Sequence, residues 1–281
     1  MNKFLFITHL TPVHKRSSLR QSLIDCYFQA LLGQTYPDWK GLILGEEERD
    51  EGRFRYVRLS DGTSEQKWRE ILDIFQRPDI KALLEGSDYI VKLDDDDIIS
   101  PHVLADVSEK QFDCCYDSYH TFYDISSGQI GQQLRPWIAS TCIHRKEHAL
   151  ASYKGEGCSG VGNLLYSDHS KSWHNYYKDK KVIVADKSSP VYLRVLSPTS
   201  VTAGAAGNAV HKAEDISFEK YYAYLRSFGR WGAAEISSFA PYYPILSKAW
   251  AEFSKFEQKA IPVPGPFSRF AGRIRTLWNR K

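Results

Sequence analysis

The chain has 281 residues, of which 42% are hydrophobic and 25% charged, and its formal net charge is +3. This is the composition of an ordinary globular protein with one large domain, or one domain with appendages, and the small net charge argues against a dedicated nucleic-acid binder. No stretch approaches the roughly 18 apolar residues of a membrane helix. The five cysteines are odd in number and lack C-x-x-C spacing, which favours reduced thiols in the cytoplasm over disulfides or a structural zinc site.

The first hundred residues alternate short apolar runs with segments of helical periodicity. The apolar runs predict strands at 4–8, 42–44, 54–59 and 89–93, and the periodic segments predict helices at 17–32, 64–76 and 79–85. Strands that alternate with helices indicate βαβ units. The sequence therefore predicts an α/β fold of the Rossmann-like type, with a mixed, mostly parallel sheet flanked by helices.

Beyond Pro101 the pattern changes to a helix ending near residue 110 and then to shorter strands, which we expect to be mixed or antiparallel members of the same sheet. The predicted strands are 112–115, 119–123, 132–134, 141–144, 182–185 and 191–195, and the predicted helices are 146–153, 164–178 and an interrupted 218–239. A glycine-rich connector spans 155–162, and prolines surround an aromatic helix within 241–266. The composition predicts a domain at 1–210 and a helical C-terminal extension at 211–281.

One acidic run stands out as the candidate centre of the site. Residues 86–101 read GSDYIVKLDDDDIISP, a predicted strand followed by four consecutive aspartates at 94–97. Four adjacent carboxylates repel one another, and a divalent cation that takes their oxygens would compensate; a solvated acidic loop is the alternative. Since ligands of open α/β sheets bind at the carboxyl ends of the strands, a metal and phosphate role is favoured. An EF-hand is excluded, because Ile98, Ile99 and Ala105 fall at its fifth, sixth and twelfth positions.

Four stretches together resemble the inverting family 2 glycosyltransferases of GT-A fold. They are THLTPVHKRSSLRQSL, LLGQTYPDWKGLILGEE, GSDYIVKLDDDDIISPHVL and SDHSKSWHNYYKDKKVIVADKSSPVYLRVLSPTSVT, and they cover about residues 3 to 205. The second and third are similar to the family's "L-x-Q-T-Y-P-x-W-E" and "D-x-D-D" segments. The resemblance implies a nucleotide-sugar donor, UDP- or GDP-linked, and a divalent cation, Mn²⁺ or Mg²⁺, that bridges its diphosphate.

The same resemblance assigns roles within the acidic run. Asp94 and Asp96 would be the D-x-D pair, the first near the ribose and the second on the metal. Asp95 and Asp97 would shape the surrounding shell, Asp95 on the donor side and Asp97 on the metal side. The chemistry agrees, because a diphosphate leaving group needs its developing charge neutralised.

Further donor contacts follow from the other matching stretches. Thr11 and Pro12, after the first strand, would lie against the nucleoside, and Glu46, after the second, would contact the base or ribose. Lys67 and Arg69 fall where the family often carries a basic residue near the diphosphate. Ordinary surface charges of a helix would look the same.

The candidate catalytic residue is Asp168, which matches the family's base. An inverting transfer needs a group that takes the proton of the acceptor hydroxyl, and an N-cap aspartate is the alternative interpretation. His169 could orient the acceptor or the diphosphate, although a single histidine is more often structural.

The chain departs from the family at Glu46, with Glu47 next to it, where the family usually has aspartate, and again after the last core strand. The histidine that often follows the last core strand, as a metal or phosphate ligand, is replaced by Leu196, Ser197 or Pro198. His211 lies nearby in sequence and could substitute, with an exposed loop histidine as the alternative. The second departure bears on how strictly the site depends on its metal.

The tail at 267–281 carries apolar residues on one helical face and arginines on the other, with no acidic residue after Glu257. It predicts a basic amphipathic helix that lies on an anionic membrane or, alternatively, docks onto the domain. Membrane contact would place the protein at the inner face of the membrane and would suit a lipid-linked acceptor.

The leading interpretation is therefore an inverting hexosyltransferase. It would move a sugar from a nucleotide diphosphate to a hydroxyl of a glycan or glycolipid, in surface polysaccharide or lipopolysaccharide biosynthesis. The alternative is a non-catalytic GT-A module that binds a nucleotide or a glycan. A nucleotidyltransferase is disfavoured, because no G-x-G-T-R-type phosphate loop lies near the first strand.

Overall fold

The apolar strand β1 (Phe4–His9) lies inside an eight-stranded sheet. The structure is a computed structural model that describes residues 1–153, 163–167, 169–200, 221, 225, 232–234 and 236–260. β1 pairs in parallel with β2 (Trp39–Gly45) on one side and with β5 (Tyr89–Lys92) on the other. β4 (Phe54–Arg58) extends the parallel part beyond β2. The predicted α/β fold, with a mostly parallel sheet over the first hundred residues, is confirmed.

The remaining strands of this main sheet make it mixed. Its order is β11-β7-β10-β5-β1-β2-β4-β3, and β10 runs antiparallel to both of its neighbours. The strands not yet introduced are β3 (Arg49–Glu51), β7 (Cys114–Asp117), β10 (Ile143–Arg145) and β11 (Val182–Ala185). The short edge strand β3 was missed from the sequence because all three of its residues are exposed and carry charges.

Helices cover both faces of the main sheet, which explains why its strands are continuously apolar. α1 (Ser18–Leu32) packs on one face with Phe4, Phe6 and Val91, and α2 (Ser64–Gln76) and α3 (Pro78–Glu85) pack on the other with Leu5 and Ile7. Successive side chains of a strand alternate between these two cores. α2 begins in a capping box in which Thr63 and Gln66 satisfy each other's backbone N–H groups.

Of the later short strands, β7, β10 and β11 join the main sheet as expected, but the others lie apart from it, which corrects the expectation of a single sheet. They form a second sheet in the order β13-β9-β8-β12-β6. Alternation in a sequence shows which residues share a face but does not identify the partner strand. These strands are β6 (Ile98–Ile99), β8 (Tyr119–Asp124), β9 (Gln129–Leu134), β12 (Tyr192–Leu196) and β13 (Gly232–Ala233).

Several predicted helices in the second half are shorter than expected. α4 (Val103–Val107) and α5 (Lys146–Ala149) end early, and the predicted helix 164–178 is divided. It consists of a 3₁₀ turn at Leu164–Tyr166, a π turn at His169–Trp173 and α6 (His174–Tyr177). The indole N–H of Trp173 donates to the Leu164 carbonyl at 2.9 Å and to Ser167 Oγ at 2.8 Å, so tertiary packing overrides the helical period. Within the predicted helix 218–239, the described residues Tyr221 and Leu225 are helical, whereas the later described residues form β13 and a 3₁₀ turn at Ser237–Phe239.

The last helix among the described residues, α7 (Tyr243–Ala260), packs on α1 and belongs to the same core. Tyr123 Oη lies 3.0 Å from Ser247 Oγ, and the rings of Tyr123 and Tyr243 are stacked at 5.5 Å. Gly33 ends α1 where a Cβ would lie only 3.1 Å from the Tyr242 hydroxyl. The predicted boundary at residue 210 lies outside the described residues and stays a prediction. No helix in the described part of the chain is long and apolar enough to cross a membrane.

A buried carboxylate joins the two sheets. Asp117, at the end of β7, accepts the backbone N–H of Val191 at 2.8 Å and that of Tyr192, where β12 begins, at 3.4 Å. Burial raises the pKa of Asp117 to about 7 from 3.8. The folded state therefore binds a proton at this carboxyl more tightly than the unfolded chain does.

We expect Asp117→Asn to flatten the pH dependence of stability. Because the folded pKa lies above the unfolded value, the contribution of Asp117 is greatest below about pH 4 and falls as pH rises to about 7. Wild-type protein should lose up to about 4 kcal/mol relative to the variant over that window. Chemical denaturation at several pH values measures the difference, with Asp179→Asn, at an exposed carboxylate, as the charge-matched control. Parallel wild-type and Asp117→Asn profiles would contradict the assignment.

Candidate functional site

The carboxyl ends of the parallel strands β1, β2, β4 and β5 meet at one edge of the main sheet. From β1 the chain passes through α1 to β2 on one side, whereas β5 lies on the other side of β1. The strand order therefore reverses between β1 and β5, which makes this position a topological switch point, where a ligand crevice is expected. The loop after β1 carries Thr11, and the loop after β5 carries the four aspartates. The fold thus brings two of the matching sequence stretches together at the position where α/β proteins bind ligands.

The four aspartates alternate between buried and accessible positions. Asp95 and Asp97 are buried, Asp96 is partly buried and Asp94 is exposed. The backbone N–H of Asp97 donates to the Asp94 carbonyl at 3.1 Å, which closes a turn. No hydrogen bond or ion pair reaches the Asp94 carboxylate from the described residues. Asp94 and Asp96, the predicted D-x-D pair, are the two that solvent reaches.

The guanidinium of Arg20 lies between the carboxylates, a partner that the sequence analysis missed. Nη1 donates to Asp96 Oδ2, Nη2 donates to Asp95 Oδ1, and Nε donates to Thr11 Oγ1 at 2.9 Å. Arg20 stands in the first turn of α1, where its backbone N–H is capped by Ser17 Oγ at 3.1 Å. One buried side chain therefore connects α1 with the loops after β1 and β5.

This ion pair changes the electrostatic account of the acidic run. Burial disfavours the charged form of Arg20, but Asp96 and Asp95 outweigh it and raise the pKa of the guanidinium. Burial raises the pKa of Asp95, and Arg20 opposes that rise. The repulsion that seemed to require a cation is relieved in part by a residue of the chain itself.

Asp97 is held differently from its neighbours. Its Oδ1 accepts the backbone N–H of Val195 at 3.3 Å, and burial, followed by Asp96 and Asp94, raises its pKa well above the usual range. The side chain is 4% exposed and joins the acidic loop to β12. The structure thus shows Asp97 in a buried contact with the backbone, and its predicted place on the metal stays a prediction.

A serine stands near the place, after β12, where the sequence resemblance would call for a histidine. Ser200, four residues after β12, directs its Oγ to Asp96 Oδ2 at 3.3 Å and lies 3.2 Å from Ser197 Oγ. The SPTS sequence after a predicted strand was the available signal, but hydroxyl residues in a loop are too common to be recognised as site residues. His211 lies outside the described residues.

The predicted nucleoside contacts lie together beside the aspartates. The Thr11 N–H donates to Asp95 Oδ2 at 2.7 Å, and Pro12 precedes a 3₁₀ turn at Val13–Lys15. Glu46, directly after β2, accepts the Val13 N–H at its Oε1 at 3.2 Å. The three residues predicted from the ends of β1 and β2 therefore lie together beside the acidic loop.

Lys67 is also at this edge, where it is paired with Asp61. The Lys67 ammonium lies 2.9 Å from Asp61 Oδ1, and the Lys15 ammonium lies 2.6 Å from Oδ2 of the same carboxylate. The hydrogen bond from Lys15, with that from Lys67, lowers the pKa of Asp61 to about 2. Arg69 instead pairs with Glu65 one turn away on the exposed face of α2, which fits the surface alternative.

A histidine, a tyrosine and a lysine that the sequence analysis did not select form another part of the crevice. His9 Nε2 lies 3.1 Å from Tyr166 Oη with the two rings stacked, and the Lys92 ammonium lies 5.4 Å from the centre of the Tyr166 ring. Burial, and after it Lys92, lowers the pKa of His9 to about 3. The His9 imidazole is therefore neutral at physiological pH.

Asp168, the predicted base, lies outside the described residues. Of its described neighbours, Tyr166 contacts His9 at the end of β1, whereas Ser167 Oγ accepts from Trp173. His169 Nδ1 lies 2.8 Å from the Ile138 carbonyl, which favours the structural interpretation of that histidine. The role of Asp168 stays a prediction.

Comparison with known proteins gives remote structural likenesses. No protein-family model and no curated protein matches the chain. Similar solved structures include TarS 1–349 of S. aureus (TM-score 0.42, 13% identity, covering 89% of this chain and 80% of that one). The glycosyltransferase GlyE of Streptococcus pneumoniae TIGR4 has a TM-score of 0.35 and 11% identity, and the match covers 81% of this chain and 63% of that one. The inositol-1-phosphate CTP transferase of T. maritima has a TM-score of 0.37 and 11% identity, and the match covers 83% of this chain and 99% of that one. All three TM-scores are below 0.5, so these structural likenesses are remote.

We expect Arg20→Met to destabilise the protein by about 3 to 5 kcal/mol, because it leaves Asp95 buried without its cation. The deficit should be smaller at pH 5 than at pH 8, since protonation removes the uncompensated charge as pH falls. Arg20→Lys keeps the positive charge but loses the forked hydrogen bonds, so its stability should lie between those of the wild type and Arg20→Met. Denaturant titrations measure the effect, with Arg69→Met, at an exposed pair, expected to change stability by less than about 1 kcal/mol. Equal effects of Arg20→Met and Arg69→Met would refute the central role of Arg20.

Proposed function

We propose that the chain is a nucleotide-sugar-dependent glycosyltransferase of the family 2 type, transferring a sugar with inversion to a hydroxyl of a glycan or glycolipid. The observation that carries the proposal is the placement of an exposed Asp94 and a partly buried Asp96 beside Thr11 and Glu46 at the switch point. Carboxylates for a cation and polar groups for a nucleoside thus border one crevice, in the pattern that the sequence resemblance implies.

A divalent cation fits this donor set. Asp94 is accessible and has no described partner, Asp96 keeps part of its carboxylate exposed, and both offer the hard oxygen ligands that Mn²⁺ and Mg²⁺ prefer. When bound, the cation would supply charge neutralisation at the diphosphate. Arg20 fixes Asp96 by its Oδ2 and so holds the carboxylate in place.

Within the transfer, the residues of the chain bind, orient and move a proton. Thr11, Pro12 and Glu46 would hold the nucleoside, and Asp95 would fix the Thr11 backbone. Lys67, next to Asp61 at the same edge, would lie towards the diphosphate. Asp168 would take the proton of the acceptor hydroxyl while the oxygen of that hydroxyl bonds to the anomeric carbon. The nucleoside diphosphate would leave with the electron pair of the broken C–O bond.

We expect the wild type to release nucleoside diphosphate from a UDP- or GDP-sugar in the presence of Mn²⁺ or Mg²⁺. Asp168→Asn should reduce turnover about 10²- to 10⁴-fold with nucleotide binding retained, because only the proton acceptor is removed. Asp94→Asn should weaken metal-dependent donor binding without unfolding the protein, since Asp94 is exposed. Nucleotide release, nucleotide-dependent thermal shifts and circular dichroism give the three readouts.

The matched control is Asp38→Asn, at an exposed position directly before β2 and so at the opposite, amino-terminal edge of the sheet, which should leave all three readouts unchanged. Absence of turnover by the wild type in every donor and metal combination would overturn the proposal, as would full activity of Asp168→Asn.

A second candidate, a non-catalytic nucleotide- or glycan-binding module, is favoured by one observation. Because Arg20 already pairs with Asp95 and Asp96, the acidic loop can be stable without a cation. Nucleotide binding that is unaffected by removal of divalent ions, together with no turnover, is the result that this candidate predicts.

We also propose that the tail at 267–281, outside the described residues, makes peripheral contact with an anionic membrane. Its arginines and apolar residues would bring the crevice near a lipid-linked acceptor. Deleting 267–281 should abolish most sedimentation with anionic vesicles and leave turnover of a soluble donor unchanged. Neutral vesicles are the control, and unchanged binding to anionic vesicles would contradict membrane contact.

A further inference from the structure

Two cysteines and a histidine form a buried cluster away from the acidic loop. One ligand atom from each of Cys114, Cys142 and His144 lies within 4.8 Å of the others, and all three residues are fully buried. Cys142 Sγ is 2.9 Å from His144 Nε2. This is the one group of three or more such side chains with that spacing among the described residues.

Strand pairing explains why the cluster forms although the spacing of the cysteines argued against a metal site. His144 of β10 lies opposite Cys114 of the antiparallel strand β7. Cys142 stands two residues before His144 and so shares its side of the strand. Cys115, the next residue after Cys114, packs in a different core cluster on the other side of the sheet.

The histidine is oriented as a metal ligand requires. Its Nδ1 lies 2.7 Å from Tyr177 Oη, which leaves Nε2 on the side of the two thiols. The Trp173 ring packs edge-on against the imidazole, at a centroid distance of 4.5 Å. A hydrogen bond on the remote nitrogen is the feature that fixes the tautomer and direction of metal-binding histidines.

From this geometry we propose that Cys114, Cys142 and His144 bind one thiophilic metal ion, of the Zn²⁺ or Cu⁺ class. Two sulfurs and one imidazole nitrogen suit such ions, whereas Mg²⁺ and Mn²⁺ prefer oxygen ligands. On binding, both thiols release their protons to solvent and the neutral imidazole uses its Nε2 lone pair. The site is distinct from the acidic loop, and it stands whether or not the proposed glycosyl transfer is correct.

The position of the site gives it a structural role. Cys114 and His144 belong to the main sheet, whereas Tyr177 and Trp173 belong to the segment 169–177. Through Tyr177, a bound ion would stabilise the packing of that segment against β7 and β10. The bound form should therefore unfold at a higher temperature than the free form.

The test is a titration of reduced, metal-free, full-length protein with Zn²⁺ and, anaerobically, with Cu⁺. We expect one equivalent of at least one of these ions to bind, with a rise in Tm. Cys142→Ser should lose at least tenfold in affinity, and Tyr177→Phe, which keeps all three ligands, should lose about 10- to 100-fold.

Two controls make the result decisive. Cys115→Ser removes an equally buried thiol from outside the cluster and should bind the ion as the wild type does. Asp94→Asn should also bind it normally, which separates this site from the oxygen ligands of the crevice. Failure of the wild type to bind either ion, or an equal loss of affinity in Cys115→Ser and Cys142→Ser, would overturn the proposal.

Discussion

The candidate site depends on the three-way contact of the Arg20 guanidinium with Asp95, Asp96 and Thr11. A buried fork of donors satisfies two carboxylates from the loop after β5 and a hydroxyl from the loop after β1 at once. The contact therefore sets the distance between the loops that follow β1 and β5. It also relieves part of the repulsion among the four consecutive aspartates that follow an apolar strand.

Two further buried carboxylates connect the second sheet to the acidic loop and to the main sheet. Asp97 accepts from the Val195 N–H, and Asp117 accepts from the N–H groups of Val191 and Tyr192. Both satisfy backbone donors of β12 or of the residue that precedes it, which would otherwise be buried without partners. β12 leads directly to Ser200, so the strand that these carboxylates position also presents a hydroxyl to Asp96.

Local pattern predicted the first half of the fold well, because its core strands are continuously apolar, α1 and α2 begin at capping residues and α3 begins at a proline. The second half was less predictable. A two-residue strand such as β6 has no pattern of its own, and the division of 164–177 follows from the hydrogen bonds of Trp173.

The site shows the same contrast. Asp94–Asp97 and Glu46 could be found because charged residues directly follow apolar strands. Arg20 and His9 could not, because an arginine in a helix and a histidine at a strand end acquire their roles only through contacts distant in sequence.

The packing of α7 on α1 sets a lower limit on the fragment of this chain that can fold by itself. Leu246, Ala249 and Phe253 are buried in the same core as Leu23 and Tyr27 of α1. A shorter fragment that ends near residue 210 would leave that face of α1 in contact with water, in the very helix whose first turn holds Arg20. Although α7 is far from the crevice in sequence, it thus contributes to the rigidity of the site as part of one cooperative unit.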